Sequence, residues 1–395
     1  MKHESQRWAL AAVLSSSLGV GLTFGFQPPL IALVLERAGS SSFAIGAVTS
    51  ASLIAVIALG PVYPLVIARL GLRRSVLLGI GCGALILSLM PIMASVPFWF
   101  CLRFLTGCTL GLSWIASEIW LNTVSGADAR GTVMGVYGTV FSLGTVAGPL
   151  LLEFTGTRGW LPFALGALSL VLTLAPLAVL ESTASTPQGV TPFRELAGVV
   201  RTAPLVMLAA LVAGLVESAD LALLPLFGLR GGFAERAALL LLAVFVAGNV
   251  ALQVPIGLMA DRFGRRLLLG TCALLSGLGP LLLQPSFATP VLLWPLLFLW
   301  GGTLYAFYSQ GVALLGAEFP PPMLPTANTV FVMVYCLGGV IGPSIGGYAL
   351  DRWPTHGLPV LLSGAALLLL AGLVIAQRMR RHALDRPRAS HSRIS

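Results

Sequence analysis

Hydrophobic positions along this chain are grouped into long runs that are separated by short polar segments. An apolar run of about 20 residues has the length of a transmembrane α-helix. The first run is too long for the core of a signal peptide, and no clear cleavage site follows it, so we expect a retained helix. The pattern predicts an all-α membrane protein with twelve spans, at residues 8–34, 43–65, 75–93, 97–121, 131–153, 160–180, 203–228, 236–260, 267–285, 291–316, 325–350 and 357–377.

The longest polar segment between these runs separates the first six from the last six. It begins with ESTASTPQ and continues with the amphipathic PFRELAGVVR, which predicts a linker followed by an interfacial helix. We therefore predict four units: an N-terminal six-helix bundle (1–180), a cytoplasmic linker (181–202), a C-terminal six-helix bundle (203–377) and a basic cytoplasmic tail (378–395).

A basic turn between two apolar runs occurs once in each half of the chain. Residues 257–266 read GLMADRFGRR, and residues 64–74 read PLVIARLGLRR. A repeat at half the chain length indicates a duplicated bundle, so we predict two six-helix bundles related by pseudo-two-fold symmetry. Three residue pairs share a spacing of 193 positions: Arg69/Arg262, Gly71/Gly264 and Arg73/Arg266.

Composition supports a membrane protein and excludes several other classes. Hydrophobic residues make up 57% of the chain and charged residues 9%, whereas a soluble domain has roughly 25% charged residues. Most of the 23 lysines and arginines lie in the termini and in the loops on one side of the predicted bundle. This bias predicts that both termini are cytoplasmic, in a multi-pass protein of the bacterial inner membrane. The net charge of +9 is therefore attributed to orientation in the membrane, and no nucleic-acid partner is expected.

The cysteines and histidines do not indicate a metal or disulfide site. All five cysteines fall inside apolar runs, and all four histidines lie in loops or tails. Neither a zinc spacing nor a disulfide framework is present in this pattern. No nucleophile stands with a base and no phosphate-binding loop is present, so we expect neither an enzyme nor direct coupling to ATP.

The motif Gly257-x3-Asp261-Arg262-x-Gly264-Arg265-Arg266 resembles the signature loop of the major facilitator superfamily (MFS) of transporters, and the resemblance extends over nearly the whole chain. It implies a conformational latch between the two halves that uses Asp261, Arg262 and Arg266. The residues themselves suggest close helix approach at Gly257 and a tight turn at Gly264.

The copy of this motif in the N-terminal half is incomplete. Arg69, Gly71 and Arg73 are present, but Pro64 and Ala68 replace the glycine and the aspartate. We therefore expect the latch to depend mainly on the C-terminal copy. An alternative is that both turns only carry the positive charges that orient the chain.

The fourth span carries Arg103, Gly107 and Gly111 on one helical face. An arginine at membrane depth is costly unless it faces protein or water. The arrangement resembles the arginine motif of the superfamily, which implies a role in proton coupling. Alternatively, Arg103 pairs only with backbone carbonyls or extends outward to the membrane surface.

Small residues and prolines recur in spans five and eleven. The fifth span resembles a motif of the antiporter branches of the superfamily, although Leu152 and Glu153 replace its closing glycine pair. The resemblance implies export, whereas helix packing in lipid is an alternative explanation. The residues concerned are Gly135, Gly144, Gly148 and Pro149 in span five, and Gly342, Pro343, Gly346 and Gly347 in span eleven.

Carboxylates inside the predicted spans are the candidates for proton coupling. Glu217 and Asp220 are three residues apart on one face of span seven. Two carboxylates so close in a low dielectric do not easily ionise together, so one is expected to hold a proton near neutral pH. Glu118 lies in span four, where it either pairs with Arg130 or lines the inner gate. A solvated polar patch without stoichiometric proton binding is the alternative for Glu217 and Asp220.

Uncharged polar residues are the candidates for lining a substrate cavity. Amides and phenols with few fixed charges suit a neutral or amphiphilic substrate better than a dianion. The same side chains can also hold helices together. The candidates are Gln27, which precedes Pro28 and Pro29 at an expected helix break, and Asn249, Gln253, Tyr305, Tyr308, Gln310, Asn328 and Tyr335.

Together these features predict a secondary active transporter that works by alternating access, with proton-coupled export (antiport, efflux) of a small organic molecule. The alternatives are proton-coupled uptake of a metabolite, with Arg103 as ligand of an anionic group, and a non-transporting membrane sensor on the same fold. We expect no cofactor, a proton gradient as the energy source, a small-molecule substrate, the lipid bilayer as surroundings, and a monomer.

Overall fold

The structure is a computed structural model that describes residues 2–124, 130–179, 193–320 and 323–385. These residues are almost entirely helical, and no strand occurs among them. A short 3-10 turn, Met90–Ile92, follows the fourth helix. The helices are α1 (Lys2–Arg37), α2 (Ser42–Leu59), α3 (Tyr63–Leu70), α4 (Leu72–Leu89), α5 (Val96–Val124), α6 (Arg130–Thr155), α7 (Leu161–Val179), α8 (Phe193–Thr202), α9 (Pro204–Arg230), α10 (Glu235–Phe263), α11 (Arg265–Ser286), α12 (Pro290–Glu318), α13 (Leu324–Arg352) and α14 (Gly357–Asp385).

Each predicted span corresponds to one helix, except the second, which is divided between α2 and α3. In the described part of the chain, 11 helices are long and apolar enough to cross a membrane. Helix α7 supplies the sixth predicted span with a shorter apolar stretch, Leu161–Leu177. The amphipathic segment predicted before span seven forms α8. The all-α class is therefore confirmed. The boundaries of the four predicted units remain predictions, because residues 180–192 lie outside the described residues.

Prolines explain one of two differences from the predicted spans. The second span was predicted to run to residue 65, but α2 ends at Leu59 and α3 starts at Tyr63. Pro61 and Pro64 lack the amide hydrogen that a continuous helix needs at these positions. The expected break at Pro28 and Pro29 is wrong, because α1 continues as a helix through both.

The two halves repeat one pattern of helix packing. In the first half α1 packs on α6, α4 on α5, and α7 on both α1 and α4. The equivalent helices of the second half pack in the same way: α9 on α13, α11 on α12, and α14 on both α9 and α11. The halves meet where α2 packs on α13 and α6 packs on α10. Two six-helix bundles related by pseudo-two-fold symmetry are therefore present, as the sequence repeat predicted.

Glycines bring the central helices of each bundle into close contact. A methyl group at Gly148 of α6 would lie 2.5 Å from the backbone nitrogen of Phe26 in α1. A methyl group at Gly342 of α13 would lie 2.8 Å from the backbone carbonyl carbon of Leu215 in α9. The same motif position therefore has the same packing role in both halves. Gly135 does not share this role, because a methyl group there would meet no atom within 4 Å.

Replacing Gly148 with alanine should destabilise the protein, whereas the same change at Gly135 on the same helix should not. Overpacking of a close helix contact costs about 1–3 kcal/mol. An exposed Gly→Ala change in a helix instead gains up to ~1 kcal/mol from helix propensity. Thermal unfolding midpoints in one detergent should therefore fall for Gly148→Ala and stay or rise for Gly135→Ala. Equal shifts for the two variants would contradict this packing role.

Candidate functional site

Ion pairs join the two halves at one end of the molecule, which we call the closed end. Arg230 at the end of α9 binds Glu36 at the end of α1, with 2.9 Å between Arg230 Nε and Glu36 Oε1. Arg37 binds Glu235 at the start of α10, with 2.8 Å between Arg37 Nη1 and Glu235 Oε2. The Arg37 guanidinium also donates to the hydroxyl and the carbonyl oxygen of Thr157. Arginines of each half are therefore neutralised by acids of the other.

Asp351 extends this network by capping a helix of the opposite half. Its carboxylate oxygens accept hydrogen bonds from the backbone amides of Ser42 and Phe43, each at 3.0 Å. These amides belong to the first turn of α2, where the helix dipole favours a negative charge. Arg230 Nη1 lies 3.6 Å from Asp351 Oδ1 and donates through Nη2 to the Ser42 hydroxyl. Arg230 is thus the centre of the closed end.

The sequence repeat contains a signal for this network that the motif analysis missed. Arg37 and Arg230 are separated by the same 193 positions as the latch residues, and so are Ser42 and Glu235. The two arginines therefore occupy equivalent places at the ends of α1 and α9.

The seam between α2 and α13 is packed backbone to backbone. A methyl group at Gly46 would overlap the backbone of Pro343, and one at Gly347 would overlap the backbone of Ser42. Ser50 donates a hydrogen bond of 2.7 Å to the carbonyl oxygen of Val340 in the other half. The closed end is therefore sealed by packing as well as by charge.

The latch residues lie at the opposite end, which we call the open end. Asp261 pairs with Arg265 one turn away, at 3.3 Å, and its side chain is 68% exposed. Arg266 pairs with Glu318 of its own half at 2.9 Å, and Arg73 Nε donates to the carbonyl oxygen of Leu177. Among the described residues, no ion pair joins the halves at the open end. Asp261 is accordingly not engaged with the N-terminal half in this state.

The two copies of the turn have the same backbone conformation. Gly71 has a φ of 79° and Gly264 a φ of 94°, in the left-handed region that favours glycine. Arg262 lies 5.4 Å from the centroid of the Phe263 ring, and Arg69 is exposed. The close approach expected at Gly257 is absent in this state, since a methyl group there would meet no atom within 4 Å.

Glu217 belongs to a tyrosine-lined site in the C-terminal half. The Tyr335 hydroxyl donates to Glu217 Oε2 at 2.8 Å. Tyr308 packs edge-on against Tyr335, with 5.1 Å between ring centroids, and Tyr305 lies next to Tyr308. Gln253 forms a hydrogen bond with Tyr305. The structure thus brings together five residues that the sequence analysis had selected.

Asp220 lies one turn further along α9 than Glu217. It is fully buried, and neither of its carboxyl oxygens has a hydrogen-bond partner in the described part of the chain. Asp220 interacts electrostatically with Glu217, as expected from their shared helical face. An ionised carboxylate at this place would cost several kcal/mol.

Glu118 faces this site from the N-terminal half. Its Oε1 accepts a hydrogen bond of 2.8 Å from Trp114 Nε1. Glu118 also interacts electrostatically with the hydroxyls of Tyr137 and Tyr308. Tyr308 therefore lies within electrostatic reach of carboxylates from both halves. The side chain of Arg130, the predicted partner of Glu118, lies outside the described residues.

Arg103 is buried in the N-terminal half and does not extend outward. Its exposed fraction is 6%. Nη1 donates to Oε1 of Gln27, and Nη2 donates to the Ser52 hydroxyl at 2.7 Å and to the Thr49 carbonyl oxygen at 3.2 Å. All three acceptors are uncharged.

The remaining uncharged candidates do not form one cluster. Gln310 is buried and reaches the Ser309 hydroxyl at 3.4 Å. Asn249 is half-buried, and its Oδ1 has no partner among the described residues. Asn328 is exposed near the start of α13. Two residues that the sequence analysis did not select belong to the site: Trp114 donates a hydrogen bond to Glu118, and Tyr137 interacts with Glu118 electrostatically.

Comparison with known proteins assigns a family. The model of the family described as Major Facilitator Superfamily matches residues 10–244 and 232–393. The MFS-type transporter YfkF of Bacillus subtilis is 25% identical over 363 residues, which cover 89% of this chain and 92% of that protein. An MFS-type transporter of Yersinia enterocolitica is 28% identical over 316 residues, which cover 78% of this chain and 80% of that protein.

Solved structures show the same fold. The nucleoside transporter NupG superposes with a TM-score of 0.76 at 15% identity, covering 94% of this chain and 99% of that chain. A D-xylose-proton symporter superposes with a TM-score of 0.72 at 16% identity, covering 91% of this chain and 96% of that chain. At such identities the likeness concerns the fold alone.

Removing the acids that bind Arg230 should open the closed end. Loss of both partners in the double variant Glu36→Gln, Asp351→Asn destabilises this contact on the order of 1–2 kcal/mol, a roughly tenfold shift in the ratio of states. Spin labels are attached at Arg158→Cys and Arg352→Cys, with Cys82 and Cys101 replaced by alanine. The distance between the two labels reports how far the halves are separated at the closed end. We expect a longer distance in the double variant.

A matched control is Arg236→Gln, because Arg236 is 74% exposed and lies 4.0 Å from Glu153 across the same end. This change should leave the distance distribution unchanged. An unchanged distribution in the double variant, or an equal shift in the control, would contradict the role of Arg230.

Proposed function

Because this chain belongs to the major facilitator superfamily, it is a multi-pass membrane protein and a secondary transporter, and we propose that it couples the export of a small organic molecule to proton entry. The family consists of transporters, so the chain is not an enzyme, as its sequence predicted.

The fully buried, unpartnered carboxyl group of Asp220 is the observation that carries the proposal of proton coupling. In the state described here, a neutral acid fits this place and an ion does not. When the halves rearrange and water reaches α9, the same group can release its proton. Its protonation is thereby linked to the conformation of the carrier, which is the requirement for coupling.

Glu217 would exchange the proton between Asp220 and the tyrosine-lined site. It lies one turn from Asp220, is half-buried, and is held by the Tyr335 hydroxyl. In this scheme Glu118 provides a second carboxylate that faces the tyrosine-lined site from the N-terminal half.

Alternating access would proceed between the closed and open ends. If both termini are cytoplasmic, as the distribution of basic residues predicts, the closed end faces away from the cytoplasm. The structure then corresponds to an inward-open state of a carrier in the bacterial inner membrane. In the outward-open state the pairs of Arg230 would break, and Asp261 would bind the N-terminal half as the latch.

The direction of export rests on the resemblance of span five to the antiporter motif. Proton-coupled uptake of an anion is a second candidate, because Arg103 is buried without an acidic partner among the described residues. A sensor on the same fold would keep its signal when the carboxylates are neutralised. We propose a small molecule as the only partner besides lipid, and a monomer as the working unit.

The double variant Glu217→Gln, Asp220→Asn should remain folded and lose proton coupling. Both changes keep the shape of the side chain and remove the titrating group. The measurement is proton flux across liposomes that hold an internal pH dye, after addition of a panel of amphiphilic cations, sugars and organic acids. Compound-dependent flux should be present in the wild type and reduced to background in the double variant.

The matched control is Glu153→Gln, which neutralises an acid of the closed end outside the proposed proton site and should keep the flux. The sign of the proton flux in the wild type distinguishes export from uptake. Flux of wild-type size in the double variant would overturn the assignment of Glu217 and Asp220.

A further inference from the structure

A cavity lies in the N-terminal half, between α1, α2, α5 and α6. Its walls are mostly apolar, and Phe24, Trp114 and Phe141 provide the aromatic part. Phe24 and Phe141 contact each other, with 5.7 Å between ring centroids. The buried polar residues of the lining are Thr23, Gln27, Arg103 and Thr106, and the hydroxyls of both threonines donate to carbonyl oxygens of their own helices.

This cavity contains more buried hydrogen-bond donors than acceptors. A guanidinium has five N–H donors, and Arg103 uses three of them on Gln27, Ser52 and Thr49. Among the described residues, its Nε is buried without a hydrogen-bond partner. The amide oxygen of Gln27 accepts from Arg103, and Nε2 of Gln27 is likewise buried with no partner in the described part of the chain. Unused donors of two side chains therefore lie together beside the cavity.

The charge of Arg103 is also uncompensated. Its three acceptors are neutral oxygens, and no ion pair includes it among the described residues. Glu118 lies further along α5 and accepts a hydrogen bond from Trp114, and Glu217 and Asp220 lie on α9 in the other half. A buried cation without a counter-charge is costly, and an anion that enters the cavity would offset this cost.

From this geometry we propose that the cavity binds an organic monocarboxylate through Arg103 and Gln27. The unused Nε–H of Arg103 can donate a charge-assisted hydrogen bond to a carboxylate oxygen, and the amide nitrogen of Gln27 adds a further donor. The aromatic walls accept an aryl or alkyl body. A single cation does not balance a dianion, so phosphates and dicarboxylates are disfavoured.

The chemistry of this cavity gives a substrate class for the proposed carrier. In that respect the inference rests on the proposed function. It also fits the position of Trp114, which lines the cavity and donates to Glu118. A carboxylate held at Arg103 would therefore extend its body toward the carboxylates that we assign to proton coupling.

The test compares three molecules of nearly equal shape on the purified full-length protein in lipid nanodiscs. They are 3-phenylpropionate, its neutral amide and the cationic 3-phenylpropylamine, with sodium chloride as an inorganic anion. Binding is measured by titration calorimetry and by quenching of tryptophan fluorescence. The carboxylate should bind most tightly, and the amide should bind at least about tenfold more weakly, because it lacks a charge-assisted contact.

Variants locate the binding at Arg103. The change Arg103→Gln should weaken carboxylate binding about 10- to 100-fold, and Arg103→Lys, which keeps the charge but places its donors differently, should weaken it less. The matched control is Arg158→Gln, which removes one charge from an exposed position outside the cavity. It should leave the affinity unchanged.

Three outcomes would overturn the proposal: equal affinity for carboxylate and amide, equal affinity for chloride and carboxylate, or no carboxylate binding by folded wild-type protein. The comparison of ligands on the wild type holds even if the variants fail to fold. Carboxylate binding without proton-coupled flux would leave this site standing and overturn the proposed coupling. Proton-coupled flux of other compounds that does not respond to the carboxylate would leave the proposed coupling standing and overturn the carboxylate as the substrate class.

Discussion

The Arg230 guanidinium binds Glu36 and lies beside Asp351, and Asp351 in turn caps the first turn of α2. This one side chain therefore links its own helix, α9, to α1, α13 and α2. These contacts close one end of the molecule. At the other end, no ion pair joins the halves among the described residues, and Asp261 pairs only within its own helix. The connection between the halves in this state therefore depends on the network around Arg230.

Charges inside the membrane are distributed unequally between the halves. The N-terminal half buries a cation, Arg103, and the C-terminal half buries the carboxyl group of Asp220, whereas Glu118 and Glu217 are half-buried, one in each half. Arg103 and Asp220 are not paired with each other. Among the described residues, neither of them has an oppositely charged partner. Such unpaired groups are unfavourable for stability, and they are typical of binding and coupling sites in membrane proteins.

Close packing makes this arrangement rigid within each half and separable between halves. Gly148 and Gly342 hold α6 against α1 and α13 against α9 through backbone contacts that a methyl group would disrupt. Gly46 and Gly347 make similar contacts between the halves, but only toward the closed end. Glycine contacts require little side-chain rearrangement when they separate. A seam of this kind can open without repacking the bundles.

The sequence alone determined the number and order of spans, the duplication and the turns at Gly71 and Gly264. These features depend on local properties, which are run length, hydropathy and the backbone freedom of glycine. It also selected Arg103, Glu217 and Asp220, because charge inside an apolar run is visible without a structure. Only the tertiary structure decided which groups meet. Glu36 and Arg230 are 194 positions apart, and their contact depends on how each helix is rotated and packed. For the same reason Arg103 was visible as a buried cation, but its lack of an acidic partner became evident only when the surrounding helices were in place.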